Sequence, residues 1–298
     1  MSVDLARTGS ASASPAWMPL RRRSAIFRLL HHRSFLFGVV ILTGLAAVLV
    51  LGPAMAPVNP LAIDPINRLQ PPSRAHWFGT DHLGRDIFSR VLYGARYSMA
   101  VAVGAILAGG FIGWFVGSFG GYATGRPAIV LGGLIDIFLA FPMELIALAM
   151  VSITGAGLQN VILAISLSIW PRIARVVRGE VLRLRELEFV EAARALGAQT
   201  VRIMLRHILP NVLAPMIVAL TFYVGSAVLV EAALSFLGLG VPPPIPTWGN
   251  IASDARKYLV TSPWGMLFSG IAVGLTVLSL NLLGDGLRDY FDPRLRGR

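Results

Sequence analysis

Six apolar runs, each about as long as a bilayer is thick, constrain this chain more than anything else in its sequence. They cover Phe35–Pro57, Ser98–Tyr122, Ala128–Ile153, Leu158–Val177, Val212–Leu237 and Trp264–Leu287. A bilayer's hydrocarbon core is ~30 Å thick and takes about 20 helical residues to cross. The runs therefore predict an all-α membrane protein with six transmembrane helices. Composition agrees: of 298 residues 55% are hydrophobic and only 14% charged, against roughly 25% charged in a soluble domain. The chain has no cysteine, which excludes disulfides, iron–sulfur clusters and thiolate zinc sites.

The net charge is +11, with 26 basic against 15 acidic residues. In a soluble protein such a balance points to nucleic acid. Here the basic residues border apolar runs, so orientation in a membrane explains them, and no nucleic-acid partner is expected. With six spans both termini lie on one side. If that side is the cytoplasm, nineteen of the 26 basic residues fall inside and seven outside, including Lys257, the one lysine. This follows the positive-inside rule. The expected layout is a cytoplasmic tail over 1–34, a first transmembrane helix over 35–57 and an outer loop over 58–97. A five-helix core over 98–287 follows, with an inner loop at 178–210 and an outer loop at 238–263, then a cytoplasmic tail over 288–298. The first span ends in Ala54-Met55-Ala56, but its length exceeds the ~7–15 residues of a signal core, so an uncleaved anchor is expected. Residues 1–20, rich in Ser and Ala, are expected to lack a fixed fold.

The outer loops carry Gly and Pro at turn positions and Trp77, Trp248 and Trp264, which suit a membrane–water boundary. Each loop is read either as an ordered cap over the helices or as a docking surface or gate for a solute-delivery partner. The first holds His76, Asp81, His82, Arg85 and Asp86. Metal sites favour tighter His spacing, such as one helical turn, so hydrogen bonds and ion pairs, for example with Arg85, are expected instead of a metal or hydrolytic site. No Walker-type phosphate loop is present; nucleotide hydrolysis, if used, must come from another chain.

The inner loop carries two short apolar stripes. Phe189, Ala192, Ala193 and Leu196 share a helical face, and Gly197 is placed to end that helix in a left-handed conformation. Val201, Met204, Leu205 and Ile208 form a second stripe, which Pro210 is expected to break before span five. The segment reads either as a solvated helix–turn–helix packed on its own bundle or as a handle for a partner. Within the spans, Gly109, Gly113, Gly117 and Gly121 recur every four residues, a stripe for close helix packing or a moving gate. Pro142 is expected to kink span three. Ionisable residues in a span usually face a partner or a cavity, which makes Asp136, Glu144 and Glu231 candidates for a translocation path or gate. Asp136 is expected to pair with Arg172 or Arg175. Glu231, near the outer end of span five, faces the path or reaches the headgroups.

The inner loop resembles the E-A-A signature of ABC importer permeases: Glu191, Ala192 and Ala193, three residues, Gly197, then Leu209 and Pro210, with His207 where the general pattern has Ile. Phe78–Asp86, Leu234–Gly240 and Asn281–Asp289 resemble the dipeptide/oligopeptide (and nickel) permease family, and the combination resembles the C-type member of the permease pair, over about residues 30–296. The resemblance implies a type I, methionine-importer-like fold in a bacterial inner membrane. It implies a paralogous permease, two ATP-binding subunits and an extracytoplasmic solute-binding protein as partners. ATP and Mg would sit in the ATPase subunits, with no cofactor and no enzymatic activity in this chain. Glu191, Ala192, Ala193, Gly197, Leu209 and Pro210 would couple the chain to an ATPase subunit. Peptides lead as cargo, with nickel, glutathione or oligosaccharide open. A secondary transporter driven by ions is the competing class.

Overall fold

The computed structural model describes residues 33–291, so the expected tails fall almost wholly outside the described residues. Within them the regular structure is helical, with one isolated bridge between Thr80 and Asp86. The helices are α1 (Arg33–Met55), α2 (Ile87–Tyr122), α3 (Arg126–Leu139), α4 (Met143–Thr154), α5 (Leu158–Leu184), α6 (Glu188–Ala195), α7 (Thr200–Ile203), α8 (Leu209–Phe236), α9 (Trp248–Ala255) and α10 (Trp264–Phe291). A π-helical turn, Met204–Ile208, joins α7 to α8, so that helix runs unbroken from Thr200 to Phe236. Among the described residues α2, α5, Thr200–Phe236 and α10 are long and apolar enough to cross a membrane, and α3 with α4 makes a bent fifth. Helix α1 is apolar over Gly38–Gly52.

Helix α5 is the axis of the bundle. Val161, Ile165, Ile169, Ile173, Val177 and Val181 recur every fourth residue along it and are fully buried. The glycine stripe of α2 lies on this row. A Cβ on Gly109 would meet Ile169 at 2.6 Å, one on Gly113 Ile173 at 2.8 Å, one on Gly117 Val177 at 2.9 Å and one on Gly121 Val181 at 2.7 Å. Glycine here lets branched side chains sit against a bare helix backbone, the packing that substitutes for a hydrophobic driving force inside lipid. The pairs rise together along both helices, so α2 and α5 run parallel. The chain between them must therefore recross the same thickness, and α3 with α4 does so.

Three expectations change. Span two begins at Ile87, not Ser98. The Asp86 carboxylate accepts the Ser89 N–H at 2.8 Å and caps the helix, an arrangement that satisfies an orphan donor of the first turn. Arg90, which fell within the expected outer loop, is buried and paired. Span three is broken rather than kinked: α3 and α4 meet at 86°. Pro142, which has no N–H to donate, stands at the N-cap of α4 after the turn at Ala140-Phe141. Pro210 does not break span five. It stands at the start of α8, and the π turn before it, with Leu209 N–H donating to Met204 O, takes up the gap that its missing N–H leaves in the ladder.

Candidate functional site: the inner coupling segment and the outer cap

Helix α6 is anchored chiefly through Val190, with Ala193 half-buried beside it, and presents its other face. Val190 is fully buried beneath it, while Phe189, Glu191, Ala192 and Leu196 are exposed. Leu196 is 89% exposed, unusual for so large an apolar side chain. Gly197 has φ +79°, donates to Arg194 O at 2.9 Å, and is followed by Ala198 N–H donating to Ala193 O at 3.0 Å. This is a Schellman ending, which satisfies the last carbonyls of the helix and fixes the direction of the chain beyond it. The predicted second stripe splits: Val201 and Leu205 are exposed, Met204 is half-buried and Ile208 is buried, and Ile203, outside the stripe, is buried as well. The π turn causes this, since an extra residue in the turn shifts the helix face. Arg185 donates to Gly121 O at 3.0 Å and Arg194 lies over the Tyr122 ring, 5.9 Å from its centroid. These contacts fasten the segment to the inner end of α2. Leu209 is half-buried and Pro210 exposed where the segment enters α8.

At the level of the spans, Arg175 on α5 and Asp136 on α3 form an ion pair, Nη2 to Oδ1 at 2.6 Å. Asp136 had two expected partners, and Arg175 is the one it meets. Arg172 turns to the backbone of Ser168, 3.3 Å away. Glu144, in the first turn of α4, is exposed. Glu231 behaves differently. It is 0% exposed, so in this chain it reaches neither the headgroups nor an open path. The Ser235 hydroxyl donates to its Oε1 at 2.7 Å.

At the opposite end of the bundle, residues of the loop before α2 and α9 form a cap tied by charge. Asp81 accepts from Arg85 Nε at 2.7 Å and Arg90 Nη1 at 2.5 Å, and Asp254 of α9 accepts from the same two guanidiniums at 3.0 and 3.2 Å. Burial works against the charged form of Asp81, but Arg90 and Arg85 outweigh it and hold the carboxyl below its ordinary range. His76 Nδ1 lies 3.0 Å from Asp86 Oδ1, and His82 stacks on Tyr258. The two histidines do not converge. Asp81, His82 and Asp254 do bring their ligand atoms within 4.8 Å of one another, but two guanidiniums already occupy both carboxylates. The carboxylates are thus engaged by arginine rather than set out to hold a metal ion. Trp248 is buried, its indole N–H donating to Val91 O at 3.1 Å, and so does not mark a membrane boundary; Trp77 is exposed. Asp254 was missed in the sequence because its partners lie 164 and 169 residues away.

The bundle thus joins a parallel glycine-zippered helix pair, a broken span and an anchored helix–turn–helix, and comparison with known proteins places this arrangement among transport permeases. A family model described as "Binding-protein-dependent transport system inner membrane component" matches residues 109–297, and one described as "N-terminal TM domain of oligopeptide transport permease C" matches residues 21–72. The chain belongs to this family of ABC importer permeases. It is 42% identical over 274 residues to a dipeptide transport system permease protein of Alkalihalophilus pseudofirmus, covering 92% of this chain and 90% of that one. It is 44% identical over 269 residues to a putative peptide transport system permease protein of Brucella abortus, covering 90% of each. Identity to a glutathione transport system permease protein of Pectobacterium atrosepticum is 44% over 225 residues, 76% of this chain and 75% of that one. The fold is similar to that of the MetNI methionine ABC transporter in an inward-facing conformation, with TM-score 0.58 and 21% identity, covering 68% of this chain and 97% of that one.

Proposed function

We infer that this chain is one of two membrane-spanning subunits of an importer that moves di- or oligopeptides, or similar small solutes, into a bacterial cytoplasm. Six spans cross the inner membrane, α1 and the bent α3–α4 pair each counting as one, and both termini are cytoplasmic. A paralogous permease completes the pathway, two ATPase subunits bind ATP and Mg, and a solute-binding protein delivers cargo from outside. The carrying observation is the exposed face of α6, held rigid by Val190 below and by the Gly197 ending behind. A stiff, anchored helix with Phe189, Ala192 and Leu196 outward is what a groove in an ATPase subunit can grip.

ATP binding draws the ATPase pair together, and the gripped helices move with it. ATP must bind one state of the permease better than another for this to shift the equilibrium. The Asp136–Arg175 pair and Glu144 are assigned to the path or its inner gate. An ionisable pair within a span that its own chain leaves open belongs against a water-filled cavity or a partner.

The test is uptake in vesicles carrying the whole complex. Vanadate-sensitive, ATP-dependent uptake of a labelled dipeptide, requiring the binding protein, supports the reading. Uptake driven by an ion gradient without ATP would move the chain to the secondary transporters. Glutathione is the second cargo to try, because one similar permease is named for it.

A further inference from the structure

Glu231 is the one acidic side chain among the described residues that is wholly enclosed. A buried carboxylate is costly unless its surroundings answer it, and an apolar residue of similar volume is often as good or better for stability alone. Something other than stability therefore explains the choice of residue here.

The surroundings show what it does. Glu231 lies five residues before the outer end of α8, beneath the start of α9. Ser235, on α8 itself, donates to Oε1. The other carboxyl oxygen, Oε2, is enclosed without a hydrogen-bond partner, and Ser98 on α2 and Thr247, the N-cap of α9, lie nearby. Ser98 Oγ also accepts the Trp248 N–H at 3.1 Å, and Thr247 forms a capping box with Asn250. Backbones close in as tightly as side chains: a Cβ on Gly249 would meet Ala232 O at 2.5 Å. The start of α9 is thus seated on α8 and α2 at the point where Glu231 sits.

The other end of that helix is the coupling segment. From Thr200 to Phe236 the helix has 37 residues without a break, about 55 Å at 1.5 Å per residue. We propose that Glu231 is a positioning residue that locks the outer cap to this rod, so that displacement of the inner coupling segment reaches the outer surface where the solute-binding protein docks. The carboxyl gives the lock its register through polar contacts that a packed apolar side chain would not specify. The inference rests on the coupling role assigned above to Glu191–Gly197.

The test uses the reconstituted four-subunit complex with its binding protein. In Glu231→Leu, basal ATPase activity and assembly persist, but stimulation by the liganded binding protein falls about tenfold, within the usual span of coupling between sites. Glu231→Gln, which keeps the volume and an acceptor for the Ser235 hydroxyl, restores most of the stimulation. Ser98→Ala with Ser235→Ala, which leaves Glu231 in place but removes two of the hydroxyls beside it, repeats the loss and serves if the leucine variant does not assemble. Full stimulation in both altered complexes overturns the proposal. So does equal loss of basal and stimulated activity in all three, which marks a purely structural residue. Failure of the underlying reading is seen separately: in the otherwise native complex, a cysteine at Leu196 would form no crosslink to an ATPase subunit.

Discussion

Asp136 and Arg175 hold each other at 2.6 Å while each stays about 60% exposed. In water a pair so open contributes little to stability. On the function proposed above, the pair faces a partner or a water-filled path. Asp136→Ala is expected to change the melting temperature of the complex little, equivalent to less than about 1 kcal/mol, and to lower uptake severalfold. The exchange Asp136→Arg with Arg175→Asp should recover a coupling of ~0.5–3 kcal/mol, as contacting pairs do. Full uptake by the alanine variant at native stability removes the pair from the mechanism.

The contact between α2 and α5 has no spare volume. A Cβ on Gly117 would lie 2.6 Å from Ala174 O, a backbone atom that cannot step aside. Gly117→Val is expected to destabilise the bundle by ~1–3 kcal/mol, read as a lower melting temperature in detergent. Gly133, whose Cβ would meet nothing within 4 Å, serves as the control: Gly133→Ala should leave that temperature unchanged.

The outer cap is expected to loosen in acid. The folded-state carboxyl of Asp81 lies below its ordinary range, so its contribution is present above the unfolded value of ~3.9. It is lost as pH falls through the lower, folded value. Thermal unfolding of the purified protein should show a stability loss beginning near pH 4, and Asp81→Asn should remove that share of the slope. Because both guanidiniums would be left buried with one partner fewer, Asp81→Ala should cost roughly 3–5 kcal/mol at neutral pH.

At the end of α6, in the segment proposed to couple to an ATPase subunit, Gly197 adopts φ +79°, which costs roughly 1–2 kcal/mol for a residue with a Cβ. Gly197→Val should leave the spans folded but misdirect the chain after α6. ATPase activity of the assembled complex should then persist while uptake falls. Asparagine, which tolerates the left-handed region, should retain more uptake than valine.

Much of this arrangement could be read from the residues. Glycines four apart foretold a close helix contact, and Gly197 foretold the helix ending, because both depend on local chemistry. Other features depended on distant partners. Arg90 looked like a loop charge until Asp254 came beside it from the far end of the chain, and that pairing is what lets α2 start eleven residues early. The 86° bend after Leu139 was read only as a kink, since hydropathy records how apolar a segment is and not which way it turns. Glu231 resembled a path residue for the same reason: nothing near it in sequence announced that Ser98 and Thr247 would enclose it.

The π turn at Met204–Ile208 has a geometric consequence of its own. One additional residue in a helical turn rotates everything beyond it by about 100° about the axis. The exposed side of the helix that carries Val201 and Leu205 is therefore out of phase with the side that Val212 and Met216 bury in the bundle. Deleting a single residue there would swing the Thr200 end around its axis relative to the bundle. Relatives differing in length at this turn would present the same motif at a different clock position.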